Sequence, residues 1–391
     1  MIDLDRLDAS LDLALSDEVR AHRATPTADG ATPVTTDGAA PDRVIPARVI
    51  PDVRSPTAVG DRAPRPHRRR SAPTPPVTPL SVAPVSPPAP ADAVWADLDS
   101  QQHSRAVVEL LGQAKLAEAD LHIAAHADLG HDATRLGHRG DAVGWTVMRA
   151  LLDGRESAAR AGIEQAQALD PAGGAGEHRE RVWSQRFAIA LTWGDEDERY
   201  DVLDHSRERA YGHGDLAWHG RLTLLLAVLG RAGEARREFD SVIGTVLSGP
   251  AGDMAWLDRA TDLAEAAAVL GDSARGEAAV RSLARVTTPP VAVSGRAWVC
   301  KGSVDRYRAL ASASAGRVDD ADRCFRSAAE IHRLLGADAH LARTLRQWGT
   351  SLVGRDPQRS VQLLRQGADL AHRLGLADDG PAVHAVAAHA C

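Results

Sequence analysis

Long apolar runs, paired cysteines, strand-like alternation and excess positive charge are all scarce in this chain, and each shortage removes a class of answer. No run approaches the ~20 consecutive apolar residues that a membrane-spanning helix requires, and Met1 is followed by Asp3, Asp5 and Asp8 in place of the basic start of a secretory signal. The cytoplasm is therefore the expected compartment, with no membrane partner. Cys300, Cys324 and Cys391 have no metal-ligand spacing and would stay thiols in a reducing compartment. The first two fall in apolar helical stripes and are expected to be buried as small hydrophobes. Strand signals are nearly absent, which argues against a sheet. With 53 Asp and Glu against 46 Lys and Arg, the net charge is -7, and direct nucleic-acid binding is not expected of the chain as a whole.

What is present divides near residue 92. Sixteen of the 22 prolines lie between Ala24 and Asp92, among Ala, Thr, Val and scattered Arg, too few large apolar side chains to offset the entropy of ordering. Residues 21–92 are thus expected to be a disordered Pro/Arg-rich linker. Within it, Arg68, Arg69 and Arg70 precede Ser71, a plausible phosphorylation target, and PxxP spacing at Pro73 and Pro76. Such a segment is pre-extended and can dock in an aromatic groove, although proline-rich spacers contain this spacing by chance. Ahead of the linker, residues 1–20 place Leu4, Leu7, Leu11 and Leu15 on one face of a short amphipathic helix.

From residue 93 to 376 helical periodicity dominates, and recurring glycines punctuate it. Gly154, Gly194, Gly230, Gly271, Gly316 and Gly354 lie about 36 to 45 residues apart, the period of two-helix repeats, and each is followed by a polar first turn that suits helix initiation. The clearest unit runs from Gly295 to Gly336. Ala297, Cys300, Val304, Tyr307 and Ala311 recur at spacings of three and four, Gly316 turns the chain, and Ala321, Phe325, Ala328, Ile331 and Leu335 form a second stripe. Trp145, Trp183, Trp193, Trp218, Trp256, Trp298 and Trp348 all fall in first helices, where they are expected mainly to pack between helices. The expected fold is all-α: a tetratricopeptide-like solenoid of about six helical hairpins over residues 93–376, with a disordered Pro-rich amino-terminal arm and a tail at 377–391.

The phrases AWHGRLTLLLAVLGRAGEARREF, DMAWLDRATDLAEAAAVLGD and CKGSVDRYRALASASAGRVDDADRCFRSAAEIHRLLGADAHLARTL resemble the carboxy-terminal helical-repeat region of bacterial AAA-type signal-transduction ATPases and LuxR-family regulators. The likeness implies a regulatory setting. It brings no catalytic or DNA-binding residue, because the ATPase, cyclase and helix-turn-helix modules of that family have no counterpart here.

Chemistry-bearing motifs are few. GRAWVCKGS, Gly295 to Ser303, approaches a phosphate loop, but Lys301 follows Cys300 in place of glycine and precedes Gly302 in place of Ser or Thr, and the segment reads as helical. His122 and His126 share a helical face, with His131 and His138 beyond, yet neither HExxH nor a cysteine pair accompanies them, so solvated or locally bonded histidines are expected. The acidic cluster Asp195, Glu196, Asp197 and Glu198 and the pair Asp378 and Asp379 suit helix starts. No catalytic, cofactor-binding or metal-binding residue is assigned. The expected role is a non-enzymatic interaction scaffold with a protein partner on the concave repeat surface and possible docking through the Pro-rich arm. The alternative is a regulatory subunit that senses a ligand or works with a separate ATPase or DNA-binding partner.

Overall fold

A computed structural model describes residues 99–129, 136–169, 176–251, 254–287 and 290–376. The amino-terminal helix, the linker with its Ser71 and PxxP features, His131, Asp378, Asp379, Cys391 and the 377–391 tail lie outside the described residues.

Fourteen α-helices account for most of the described chain, taken here as successive pairs. They are α1 (Ser100–Gly112) with α2 (Leu116–Leu129), α3 (Leu136–Leu152) with α4 (Glu156–Leu169), α5 (Glu177–Thr192) with α6 (Glu196–Arg207), and α7 (Leu216–Val228) with α8 (Ala232–Ser248). Then come α9 (Met254–Leu270) with α10 (Ser273–Leu283), α11 (Val304–Ser314) with α12 (Val318–Leu334), and α13 (Asp338–Ser351) with α14 (Pro357–Arg373). All six punctuating glycines sit between the two helices of a pair. Gly316 shows why: its φ of 76° is left-handed backbone that a side chain would strain, and it closes α11 so that α12 can reverse. Asp195, Asp272 and Asp356 each accept a backbone N–H three residues on, capping α6, α10 and α14. Pro357 opens α14, where its missing N–H costs nothing.

Among the described residues there is one sheet, and it corrects the helical reading of Gly295 to Ser303. β1 (Val291–Ser294) and β2 (Val299–Ser303) form an antiparallel hairpin, so Ala297 and Trp298 lie in its turn and Cys300 in a strand, and α11 begins only at Val304. Both strands are buried throughout. Val293 pairs with Cys300 and Ala292 with Gly302, leaving Lys301 as the extra residue of a β-bulge. Gly302 has φ 79°, and a Cβ there would lie 2.5 Å from His332 Nε2. Spacings of three and four at positions 297, 300, 304 and 307 imitate a helical stripe across a strand–helix junction, a coincidence that short windows cannot exclude.

The hairpin reaches helices far away in sequence. β1 packs on α1 and α9, and β2 packs on α3, α5, α11 and α12. The Trp145 indole N–H donates to Arg296 O at 2.9 Å, and Gln185 Nε2 donates to both Gly144 O and Trp298 O. The odd-numbered helices pack side by side, α3 on α5, α7 on α9, α9 on α11 and α11 on α13, and α13 also meets α3. The hairpin therefore packs mainly against odd-numbered helices, α1, α3, α5, α9 and α11. Trp145, Trp218 and Trp256 are among the most completely buried side chains of that layer.

Phe325, fully buried in α12 against Leu310, Leu341 and Leu345, anchors the carboxy-terminal cluster. Phe325→Ala is expected to cost about 3–5 kcal/mol, read from the shift of the urea midpoint, and an unchanged midpoint would remove Phe325 from the core.

Candidate functional site

Asp258, Asp262 and Glu265 sit at i, i+4 and i+7 of α9, so one helix face presents three carboxylates, each at most 5% exposed. Cations converge on them from four elements. From α7, Arg221 Nη2 reaches Asp258 Oδ2 at 3.0 Å while its Nη1 donates to Ser184 Oγ of α5. From the β2 bulge, Lys301 Nζ donates to Asp258 Oδ1 (2.8 Å), Asp258 O (3.0 Å) and Asp262 Oδ1 (2.6 Å). From α11, the fully buried Arg306 grips Glu265 with two nitrogens at 2.6 and 3.2 Å and donates its Nε to Gln347. From α13, Arg343 Nη2 meets Glu265 Oε1 at 3.2 Å. Ser294 Oγ adds a hydrogen bond to Asp258 Oδ1.

The chain holds only two lysines, Lys115 and Lys301, among its 46 basic residues. Position 301 suits lysine because a compact ammonium sends three protons in three directions, whereas a planar guanidinium matches a two-oxygen fork. Lys301 is thus the keystone of an internal ion network, in a strand, and not part of a phosphate loop.

Burial resists every charge here, so each protonation state depends on which neighbours outweigh it. Burial would raise Glu265, but Arg306 and Arg343 overcome it and draw the carboxyl down to about 2. Asp258 likewise falls below the carboxylate range against its burial, pulled by Lys301 and Arg221. Asp262 goes the other way, to about 7, because burial, joined by the charge of Asp258, exceeds what Lys301 returns. Its Oδ2 has no hydrogen-bond partner. A cavity of about 50 Å³ adjoins these groups, walled on its other side by Phe187, Leu191 and Val299. It is large enough for a few waters.

Arg221 and Asp258 also line a second, larger space, a cleft of about 580 Å³. Its walls are the first turns of α5, α7 and α9, the end of α6 with the π-helical turn Glu208–Gly212 that follows, and the hairpin turn with Gly295 and Trp298. Its size falls in the range of ligand-binding pockets. His205 lies in the wall, its ring stacked 3.9 Å from that of Trp183. Burial, reinforced by Arg179, Arg209, Arg186 and Arg221, lowers its pKa to about 3, so the imidazole is neutral at pH 7.

The residues singled out in the sequence lie elsewhere. His122 is buried with its Nδ1 3.0 Å from His103 Nδ1, and its pKa falls to about 4 through burial and the neighbouring ring. His126 packs edge-on to Trp145. Among the described residues no group of three or more His, Cys, Asp or Glu side chains gathers as a metal site. The thiol of Cys300 is buried and pushed up to about 11 by that burial, while Cys324 is half-buried in α12. Asp195 to Glu198 open α6 as expected. Sequence reasoning missed Asp258, Asp262, Glu265, Arg221 and Trp298 as members of one neighbourhood. The only local signal was three carboxylates on one face of a helix rich in apolar residues.

No family model, curated protein or solved structure matches the chain. Among the described residues no helix is long and apolar enough to cross a membrane.

Removing the ammonium in Lys301→Met leaves two buried carboxylates facing each other and is expected to cost about 3–5 kcal/mol, measured by urea unfolding at pH 7. The pH dependence separates the carboxylates by sign. A carboxyl raised to about 7 in the folded state contributes most below its unfolded value and loses that contribution as pH rises toward 7. Asp262→Asn should therefore flatten the decline in melting temperature between pH 5 and 8. Glu265, held near 2, contributes above its ordinary value and loses it as pH falls. Glu265→Gln should flatten the acid side instead, and equal slopes for wild type and both variants would refute the assignment.

Proposed function

We propose that this chain is a non-enzymatic protein-interaction module, a tetratricopeptide-like helical array that works in the cytoplasm and holds a segment of a partner protein. The observation that carries this is the 580 Å³ cleft, open to solvent and walled by three helix starts and a rigid turn. Side chains fixed on helices and on a hydrogen-bonded hairpin make a preorganised binding wall, which lowers the entropy cost of holding a partner. Because the hairpin packs against the odd-numbered helices and its turn walls the cleft, the partner segment is assigned to the cleft in place of a concave repeat face. The resemblance to regulatory ATPases and LuxR-type proteins supports a place in signal transduction, next to a separate catalytic or DNA-binding subunit. A second role, sensing a small ligand, draws support from the cavity beside Asp262, whose unpartnered oxygen could accept a donor.

Crosslinked affinity capture from the native cell tests the first proposal, comparing wild type, a cleft variant carrying Arg179→Glu with Arg209→Gln, and residues 93–391. A partner kept by residues 93–391 and lost by the cleft variant is expected. Capture indifferent to the cleft variant would refute the cleft as its site, and nucleotide turnover by the purified protein would refute the non-enzymatic role.

A further inference from the structure

His219 of α7 lies outside the walls of both the small cavity and the cleft. Its Nδ1 meets Oε1 of Glu238, a carboxylate of α8 that is only 5% exposed, and Oε2 of the same group accepts from the Tyr211 hydroxyl. The Tyr211 ring stands edge-on to the imidazole, with centroids 5.3 Å apart, and so joins the π-helical turn to the pair. Partial burial and Glu238 push the Tyr211 hydroxyl up to about 12, which keeps it a donor at neutral pH.

A carboxylate only accepts, so Nδ1 carries a proton and the lone pair of the neutral ring lies on Nε2. That Nε2 has no hydrogen-bond partner among the described residues and, unlike the Nε2 of His205, is not an enclosed atom; the side chain keeps 15% of its surface open. His178 and His332, by contrast, spend both nitrogens inside the chain. His213 and His372 are exposed, with no carboxylate bonded to either ring among the described residues.

At His219 the fixed tautomer aims one lone pair outward, and the carboxylate faces the positive charge that the ring gains when Nε2 forms a bond. A reactive ring outside both concave sites suits a group handed to it by another molecule. Leu216, one turn earlier on α7, is 44% exposed and Tyr211 66%, which gives such a molecule apolar surface to rest on.

We propose that His219 is a phosphoryl-acceptor site, phosphorylated on Nε2 by a partner protein that carries the group as a phosphohistidine, with Glu238 as the positioning residue. The Nε2 lone pair forms the new N–P bond as the donor's N–P bond breaks, and the donor nitrogen keeps that bond's electron pair. The donor ring thereby becomes neutral as the His219 ring becomes a phosphoimidazolium, whose Nδ1 proton stays in place against Glu238. This goes beyond the cleft reading and does not depend on it.

The test incubates the full-length protein with potassium phosphoramidate, a small N–P donor. Mass spectrometry at alkaline pH locates each phosphohistidine, and phosphorus-31 NMR reads which ring nitrogen holds the group. His219 is expected to be labelled on Nε2, faster than His213 and His372. Glu238→Gln keeps an acceptor for the Nδ1 proton but removes the charge, and should slow labelling of His219 by about tenfold while leaving His213 and His372 unchanged. Tyr211→Phe, which keeps Glu238, should slow it far less. Melting temperatures are compared with wild type, and if Glu238→Gln is not folded the ranking of histidines in the wild-type protein decides alone. Labelling of His219 no faster than of His213 and His372, a product on Nδ1, or an unchanged rate in folded Glu238→Gln would overturn the site. Protein isolated from the native cell at alkaline pH is expected to carry the group on His219. Fast labelling by phosphoramidate with none found in the cell would overturn the partner-borne donor.

Discussion

A lysine ammonium withdrawn from water costs several kcal/mol unless each proton finds an oxygen and its charge finds a partner. Lys301 meets both conditions through Asp258 and Asp262 at 2.8 and 2.6 Å. Its attraction to α9 helps fix where the hairpin lies, because the bulge makes Lys301 the residue without a cross-strand partner. With β1 against α1 and α9, and β2 against α3, α5, α11 and α12, the hairpin ties together helices from both ends of the described chain. Ion pairs of this kind often add little net stability compared with apolar packing. What this one supplies is register: slipping the hairpin by one residue would take the buried ammonium away from Asp258 and Asp262.

Odd- and even-numbered helices consequently carry different physics. Even-numbered helices such as α12 and α14 are amphipathic in the ordinary way, with buried residues on one stripe and charges on the other. Helices such as α7 and α9 are buried around much of their circumference, so apolar residues cover most of the surface and the few charges that remain must be paired. This is why tryptophan recurs in first helices: a layer buried on both sides has room for the largest side chains.

Those two physics also decide what the sequence could reveal. The turns were legible because a left-handed residue such as Gly316 leaves a local mark, and the stripe of α12 was legible because its period is local too. The ion network was not, since Arg221 lies 37 residues from Asp258 and Lys301 lies 43 from it, and no short window contains both ends. The hairpin was hidden by the accident that residues 297, 300, 304 and 307 keep helical spacing. Val291 to Val293 and Trp298 to Cys300 are short apolar runs on either side of a glycine turn, which length alone could have marked as strands. Gln185, His332 and His340 gave no sequence signal, for a reason the hairpin supplies.

A two-stranded sheet has two open edges, and a buried edge must find partners for its backbone groups. Helices cannot lend their own backbone for this, because it is already paired along the helix axis, so side chains must serve. Cys300 O takes the Nε2–H of His340, Ser303 N donates to His332 Nε2, Lys301 O takes the hydroxyl of Tyr307, and Trp298 O takes Gln185. These buried and part-buried polar residues of α5, α11, α12 and α13 thus read as the complement of one hairpin. His332 and His340 stay neutral under that burial, which leaves His332 the lone pair it needs to accept from Ser303. The complement stops at the turn. There the backbone is satisfied by Trp145 and Gln185, but the Trp298 side chain is not, and its N–H is buried without an acceptor. The hairpin is thus matched at its edges and left with one unmatched, buried donor at its tip.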